Sequence, residues 1–381
     1  MSLPSNWPAL FGFMVTATMI GTTLSYSYPL LSFVLEREGV AIGLIGLNAA
    51  LSGLAVFVLA PWLPRLVNYL GPVASVGLGQ TVCVLSLLAF PLQVDLLTWS
   101  VLRFLLGGGV ALAWIACESA VNALAEERSR ARVMAVYATL FCVGYALGPV
   151  LIGFTGSEGL APFLTAALLI LCGVPPLMFS GGAREAMATP GSADLPRVLR
   201  LAPLAMMTIL AFGFVETTMF ALMPVYGLGL GHHEGAAGLL LSLLIAGNVV
   251  FQLPIGWLAD RTSRQGTLLG CVGVGLASLL LWPWLMHDLA QAAPILLIGG
   301  GALGGLYSLS LTLLGERFRG GDLAVANTAF VLLYQAGAMA GPALVGLLMG
   351  RFGQGILPFA LAVALALLLA VVVGRRAGAR S

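Results

Sequence analysis

The chain has 381 residues, 60% hydrophobic and 8% charged, with 17 basic and 15 acidic side chains and a formal net charge of +2. A soluble domain carries roughly 25% charged residues, so this composition cannot supply a water-facing exterior and predicts one that faces lipid. All 17 basic residues are arginine and they are dispersed along the chain, which excludes a nucleic-acid partner.

A bilayer core about 30 Å thick takes about 20 helical residues to cross. The first apolar run, 9–35, is longer than a signal-peptide core, and residues 1–5 carry no basic side chain, so the run is expected to remain as a membrane span. Further runs follow at 41–64, 72–93, 96–124, 132–155, 160–180, 202–230, 236–258, 266–286, 291–315, 323–349 and 354–374. Continuous runs of this length predict helices; barrel strands would alternate over about ten residues. The expected fold is an all-α polytopic membrane protein of twelve transmembrane helices. Its divisions are a six-helix bundle over 1–180, a central cytoplasmic loop over 181–200, and a second bundle with a short basic tail over 201–381.

The five cysteines, Cys83, Cys117, Cys142, Cys172 and Cys271, fall in apolar runs without metal-ligand spacing and read as small core residues. No metal or cofactor is predicted. No histidine lies in mid-span and no nucleophile–base set is present, so an intramembrane enzyme is not expected. Without lysine there is no GxxxxGK[ST] loop for ATP. The predicted energy source is therefore a proton gradient or another ion gradient.

Arginine placement predicts both termini in the cytoplasm. Fourteen of the 17 arginines then lie on the inner side, Arg37 and Arg351 lie outside, and Arg103 falls within the fourth span. Shifting the chain by about 193 to 195 residues lays the second six spans over the first. Thr22-Thr23 falls on Thr217-Thr218, Trp62 on Trp257, Gly107-Gly108-Gly109 on Gly299-Gly300-Gly301, and Gly148-Pro149 on Gly341-Pro342. Parallel repeats of this kind are a transporter architecture in which two halves rock about a midplane site.

Gly256-Trp257-Leu258-Ala259-Asp260-Arg261-Thr262-Ser263-Arg264 resembles the GxxxDRxxR loop of the major facilitator superfamily. Arg103 followed by Gly107, Gly109 and Ala111 resembles that superfamily's RxxxGxGxA motif, and Gly144…Gly148-Pro149 and Gly337…Gly341-Pro342 resemble its GxxxGP motif. The stretch Glu118-Ser119-Ala120-Val121-Asn122 and the short chain are most similar to the YcaD-like group of small bacterial members. The resemblance implies two pseudo-symmetric bundles, conformational roles for the glycine–proline pairs, and a gate at Gly256, Asp260, Arg261 and Arg264. The first-half counterpart reads Pro61-Trp62-Leu63-Pro64-Arg65, so the superfamily's first-half acidic gate does not carry over.

Asp260 can accept amide hydrogens at an opposing helix N-terminus, worth about 0.3–1 kcal/mol at exposed sites; it reads as a latch or as a solvated loop acid. Arg103 lies about eight residues into its span, roughly 12 Å deep, where an arginine must face protein or a wet cavity. Gly107, Ala111, Trp114 and Glu118 continue its stripe. Glu216, in the middle of the seventh span and aligned with Gly21, reads as a proton or cation site coupled to Arg103, or as a permanent structural ion pair or hydrogen bond. Glu118 and Glu316 are expected to pair with inner arginines such as Arg65. Tyr26, Trp114, Asn248, Gln252, Asn327 and Tyr334 line a substrate path or bridge helices. Tyr28, Asn48, Gln80 and Gln335 are further polar groups within spans.

The expected function is secondary active transport of a small solute by alternating access in a bacterial inner membrane, by a monomer. Proton-coupled efflux of an amphipathic compound leads; proton-coupled uptake of a small organic solute, or a non-transporting sensor or scaffold on the same fold, are the alternatives, since fold alone does not choose.

Overall fold

The computed structural model describes residues 7–93, 95–126, 129–178, 195–319 and 321–378. Arg128 and most of the expected central loop, including Arg184, lie outside them. The first-half helices are α1 (Trp7–Arg37), α2 (Ile42–Leu59), α3 (Leu63–Leu70), α4 (Pro72–Ala89), α5 (Leu96–Leu124), α6 (Arg130–Thr155), α7 (Ala161–Leu171) and α8 (Val174–Leu177). The second-half helices are α9 (Leu195–Leu201), α10 (Pro203–Gly229), α11 (Glu234–Arg261), α12 (Arg264–Leu285), α13 (Leu289–Arg317), α14 (Gly321–Phe352) and α15 (Leu357–Gly378). Among the described residues eleven helical segments are long and apolar enough to cross a membrane, and Ala161–Leu177 is a shorter twelfth.

Two spans differ from the sequence expectation, and proline accounts for both. The second stops at Leu59 instead of continuing to residue 64. Pro61 lies in the turn and Pro64 in the first turn of α3, a separate amphipathic helix that buries Leu63, Pro64 and Val67. The sixth breaks at Cys172-Gly173, just before Pro175-Pro176, into α7 and α8. The break frees backbone carbonyls in an apolar setting, where each needs a partner. Thr16 Oγ1 donates to the Gly173 carbonyl at 2.7 Å and Gln80 Nε2 to that of Ile170 at 3.1 Å. Cys172, at the break, is exposed, unlike the buried Cys83, Cys117 and Cys271.

Helix packing divides the chain into two compact units. One comprises Met1–Val34 and Leu51–Thr189, the other Leu35–Ala50 and Pro190–Ser381. In the second unit the start of α2 packs on α14: a Cβ on Gly46 would lie 3.0 Å from Gly346 Cα, and one on Gly43 3.1 Å from a Leu347 methyl. In the first, α4 and α5 meet where Gly109 approaches the carbonyl of Gly79, so close that a Cβ on Gly109 would sit 2.8 Å from that oxygen.

Candidate functional site

In the first unit the functional stripe runs along α5. Asp95 caps the helix, its carboxylate accepting from the Thr98 amide at 2.9 Å and the Thr98 hydroxyl at 3.0 Å. The Thr98 amide, seconded by the hydroxyl, holds that carboxyl below the usual aspartate range. Eight residues further, Arg103 is 2% exposed. Its Nε donates to Ser52 Oγ at 3.0 Å, its Cζ lies 4.6 Å from the centroid of the Tyr28 ring, and its Nη2 has no hydrogen-bond partner. Gly107, one turn on, admits α2 against α5, since a Cβ there would lie 2.7 Å from Ser52 Cα. The guanidinium is thus held by a hydroxyl and an aromatic face, and a desolvated cation–ring contact of this kind is worth about 2 kcal/mol.

Trp114, on the same stripe, stacks on Phe141 of α6 at 5.6 Å, and Phe141 on Tyr145 at 5.7 Å. Tyr26 has no exposed surface, and its hydroxyl bonds to Thr155 Oγ1 at 2.7 Å. It therefore bridges α1 and α6 and offers no wall to a solute, which corrects its assignment to the cavity. Glu118 is exposed and makes no ion pair among the described residues, and neither does Arg65. The expected inner pairing of these two is not formed.

In the second unit Glu216 is half-buried on α10, and the hydroxyl of Tyr334 on α14 donates to its Oε2 at 2.7 Å. Aromatic rings surround this pair. Phe212 lies 6.1 Å from Tyr334 and 5.6 Å from Tyr307, and Tyr307 meets Phe330 edge-on at 5.8 Å. Asn248 of α11 lies against Gly304 of α13, where any Cβ would collide with its amide, while Gln252 and Asn327 are exposed.

At the loop between α11 and α12, Asp260 is exposed and accepts from no helix N-terminus among the described residues of its own unit. Its charged neighbour is Arg264, 4.0 Å away on the next turn, and the N-terminus of α12 is already capped by Ser263 Oγ, which accepts from the Gly266 amide. Arg264 forms its ion pair with Glu316 at the end of α13, and Arg261 stacks over Trp257 at 4.2 Å. Gly256 has open space where a side chain would go, so no close approach requires it. Two contacts were not foreseen from the sequence: Arg37 pairs with Glu234, and Arg197 forks onto Asp322 at 3.1 and 3.3 Å. No motif spacing connects either pair.

The glycine–proline motifs do the same work in both units. Gly144 and Gly148 of α6 press on Thr18, Thr22 and Ser25 of α1, ahead of Pro149; Gly337 and Gly341 of α14 press on Leu210, Phe214 and Thr218 of α10, ahead of Pro342. Gly21 abuts Phe141 as Gly213 abuts Tyr334. This contact register makes Gly213, not Glu216, the counterpart of Gly21, and pairs Glu216 with Leu24.

A family model described as Major Facilitator Superfamily matches residues 9–330 and 230–379. A curated relative named an uncharacterized MFS-type transporter YcaD, from Escherichia fergusonii, is 29% identical over 296 residues, 77% of this chain and 76% of the relative. Its namesake from Escherichia coli is 29% identical over 270 residues, 70% of this chain and 69% of the relative. Among solved structures, a variant of the nucleoside transporter NupG superposes with a TM-score of 0.82 at 9% identity, covering 96% of this chain and 99% of that one. A bacterial homologue of the human lysosomal transporter Spinster, inward-facing and unoccupied, gives 0.73 at 13% identity, covering 98% of this chain and 95% of that one.

Proposed function

The chain belongs to the Major Facilitator Superfamily, and on that premise we propose that it is a proton-coupled exporter of an amphipathic small molecule, with Glu216 as the proton site. It is a membrane transporter, not an enzyme. The observation that carries the coupling role is the bond from the Tyr334 hydroxyl to Glu216. Within its unit, a carboxyl held by a neutral phenol gains or loses a proton without stranding a paired cation, whereas one locked to an arginine does not. Arg103, held by Ser52 and Tyr28 with one nitrogen unsatisfied, supplies fixed positive charge in the first unit.

Phe212 and Tyr307, beside the Glu216–Tyr334 pair in the second unit, suit a solute with a flat apolar body. Asn248, Gln252, Asn327 and Tyr334 supply its hydrogen bonds. The gate on the α11–α12 side is the Arg264–Glu316 pair, with Asp260 and Arg261 beside it, and the glycine–proline crossings at Gly148-Pro149 and Gly341-Pro342 are the rigid fulcra. We place the protein in a bacterial inner membrane, as a monomer with cytoplasmic termini.

Reconstituted liposomes with an imposed pH gradient and a panel of amphipathic cations and neutral aromatics test this. Wild type should accumulate a panel member against its gradient, and Glu216→Gln should lose gradient-driven accumulation at least about tenfold, the effect of 1.4 kcal/mol, while still exchanging solute. Unchanged pH dependence in Glu216→Gln removes the coupling role. Drive in the inward sense only would favour uptake.

A further inference from the structure

A groove of about 930 Å³ lies in the second unit between α10, α14 and α15, within the size range of small-ligand sites. All seventeen side chains that line it are Ala, Val, Leu, Ile, Met or Phe. Ala211, Ala360 and Ala364 are among its small lining residues, and Phe352, Phe359 and Leu367 among its large ones. From Phe359 to Val371 it follows about 18 Å of α15 at 1.5 Å per residue, more than the roughly 15 Å hydrocarbon depth of one leaflet. A polar solute finds no partner there, whereas an extended alkyl chain fits lengthwise.

One end of the groove carries a charge. Phe352 forms that end, and the guanidinium of Arg351 lies over the Phe352 ring at 5.7 Å. Arg351 is exposed and makes no ion pair among the described residues, and residues 350–378 contain no acidic side chain. An apolar trough that ends at an uncompensated cation, within a membrane-spanning bundle, complements a molecule with a long alkyl chain and an anionic head.

We propose that this groove binds an anionic phospholipid, one acyl chain lying between α10, α14 and α15 and the phosphate resting on Arg351. The lipid ties α15 to α10 and α14, and its place is independent of Glu216.

Native mass spectrometry of the full-length protein, equilibrated with equal amounts of phosphatidylglycerol and phosphatidylcholine, tests the site. Wild type should retain the anionic lipid about fivefold more, the preference one arginine near a membrane surface confers. Arg351→Gln should keep bound lipid and lose the preference. Ala364→Phe, which enlarges a small lining side chain, should lose bound lipid of both kinds; Ala360→Leu serves the same purpose if that variant fails to fold. Leu281→Phe, on the exposed face of α12, and Glu216→Gln should match wild type. Equal retention of the two lipids by wild type, a preference that survives Arg351→Gln, or equal losses in Leu281→Phe and Ala364→Phe would each overturn the proposal.

Discussion

Gly107 presses on Ser52 and Gly300 on Leu244, so these two, one residue off the sequence alignment with Gly299, mark the same helix crossing in the two halves, and what lies beside each differs. One turn before Gly107 stands Arg103, bonded to Ser52 across the crossing. One turn before Gly300 stands Leu296, fully buried, and the residue facing that glycine is Leu244. The reverse holds at the other crossing: Glu216 and Tyr334 form a polar pair three residues beyond Gly213, whereas Leu24 and Phe141 occupy the matching places beyond Gly21. Backbone packing is duplicated, but polar chemistry is not. Arg103 in one half and Glu216 in the other each stand on a scaffold that the partner half fills with hydrocarbon, so the charges are not needed for the packing itself.

The shared packing can be broken outright. At Gly148 and Gly341 a side chain would meet backbone atoms of α1 and α10, namely the carbonyls of Thr22 and Phe214, which cannot swing aside as a side-chain tip would. Overpacking costs about 1–3 kcal/mol even where side chains can adjust, and net stability is only about 5–15 kcal/mol. Gly148→Leu and Gly341→Leu should each abolish the monodisperse peak in size-exclusion chromatography, and to similar extents. If one is tolerated, the two crossings are not equivalent.

The difference between the halves can be erased while the packing is left alone. Replacing Arg103 and Ser52 together by leucine installs in the first half the pair that the second half already has. The double variant should keep its melting temperature within a few degrees, because an apolar replacement of a buried polar set is often neutral or stabilising, yet lose transport at least about tenfold. A variant that stays folded and transports normally would reduce Arg103 to a structural residue.

The sequence makes the spans legible because crossing a bilayer constrains length and hydropathy directly, and prolines account for the two misjudged ends. The repeat is legible too, but not its register. Matching Thr22-Thr23 to Thr217-Thr218 displaces α10 by three residues from the packing that aligns Gly21 with Gly213. Three residues are nearly one helical turn, so the slip preserves the face and shifts the depth by about 4.5 Å, which identical residues cannot reveal. Side-chain partners were harder still. The sequence marks Tyr28 as a polar group within a span but not as the ring beneath Arg103, and it places Arg37 outside without showing that Glu234, 197 residues on, is its partner.

The halves differ least at the helix caps, and there the smallest effect is expected. Asp95 begins α5 and Asp288 begins α13, each at the N-cap. Asp95 accepts from both the amide and the hydroxyl of Thr98, whereas Asp288 accepts from the Ala290 amide. Because Thr98 lowers the Asp95 pKa from its ordinary 3.8, the cap contributes stability that is fully present above that ordinary value and lost as pH falls through the lower, folded one. Asp95→Ala should therefore melt below wild type at pH 7, and the gap should narrow once the pH drops below the ordinary aspartate range. Asp288→Ala, which gives up one accepted bond instead of two, should cost less at neutral pH. A gap for Asp95→Ala that is the same at neutral and strongly acidic pH would mean that the carboxylate charge contributes nothing to the cap and that the lost contacts act through packing alone.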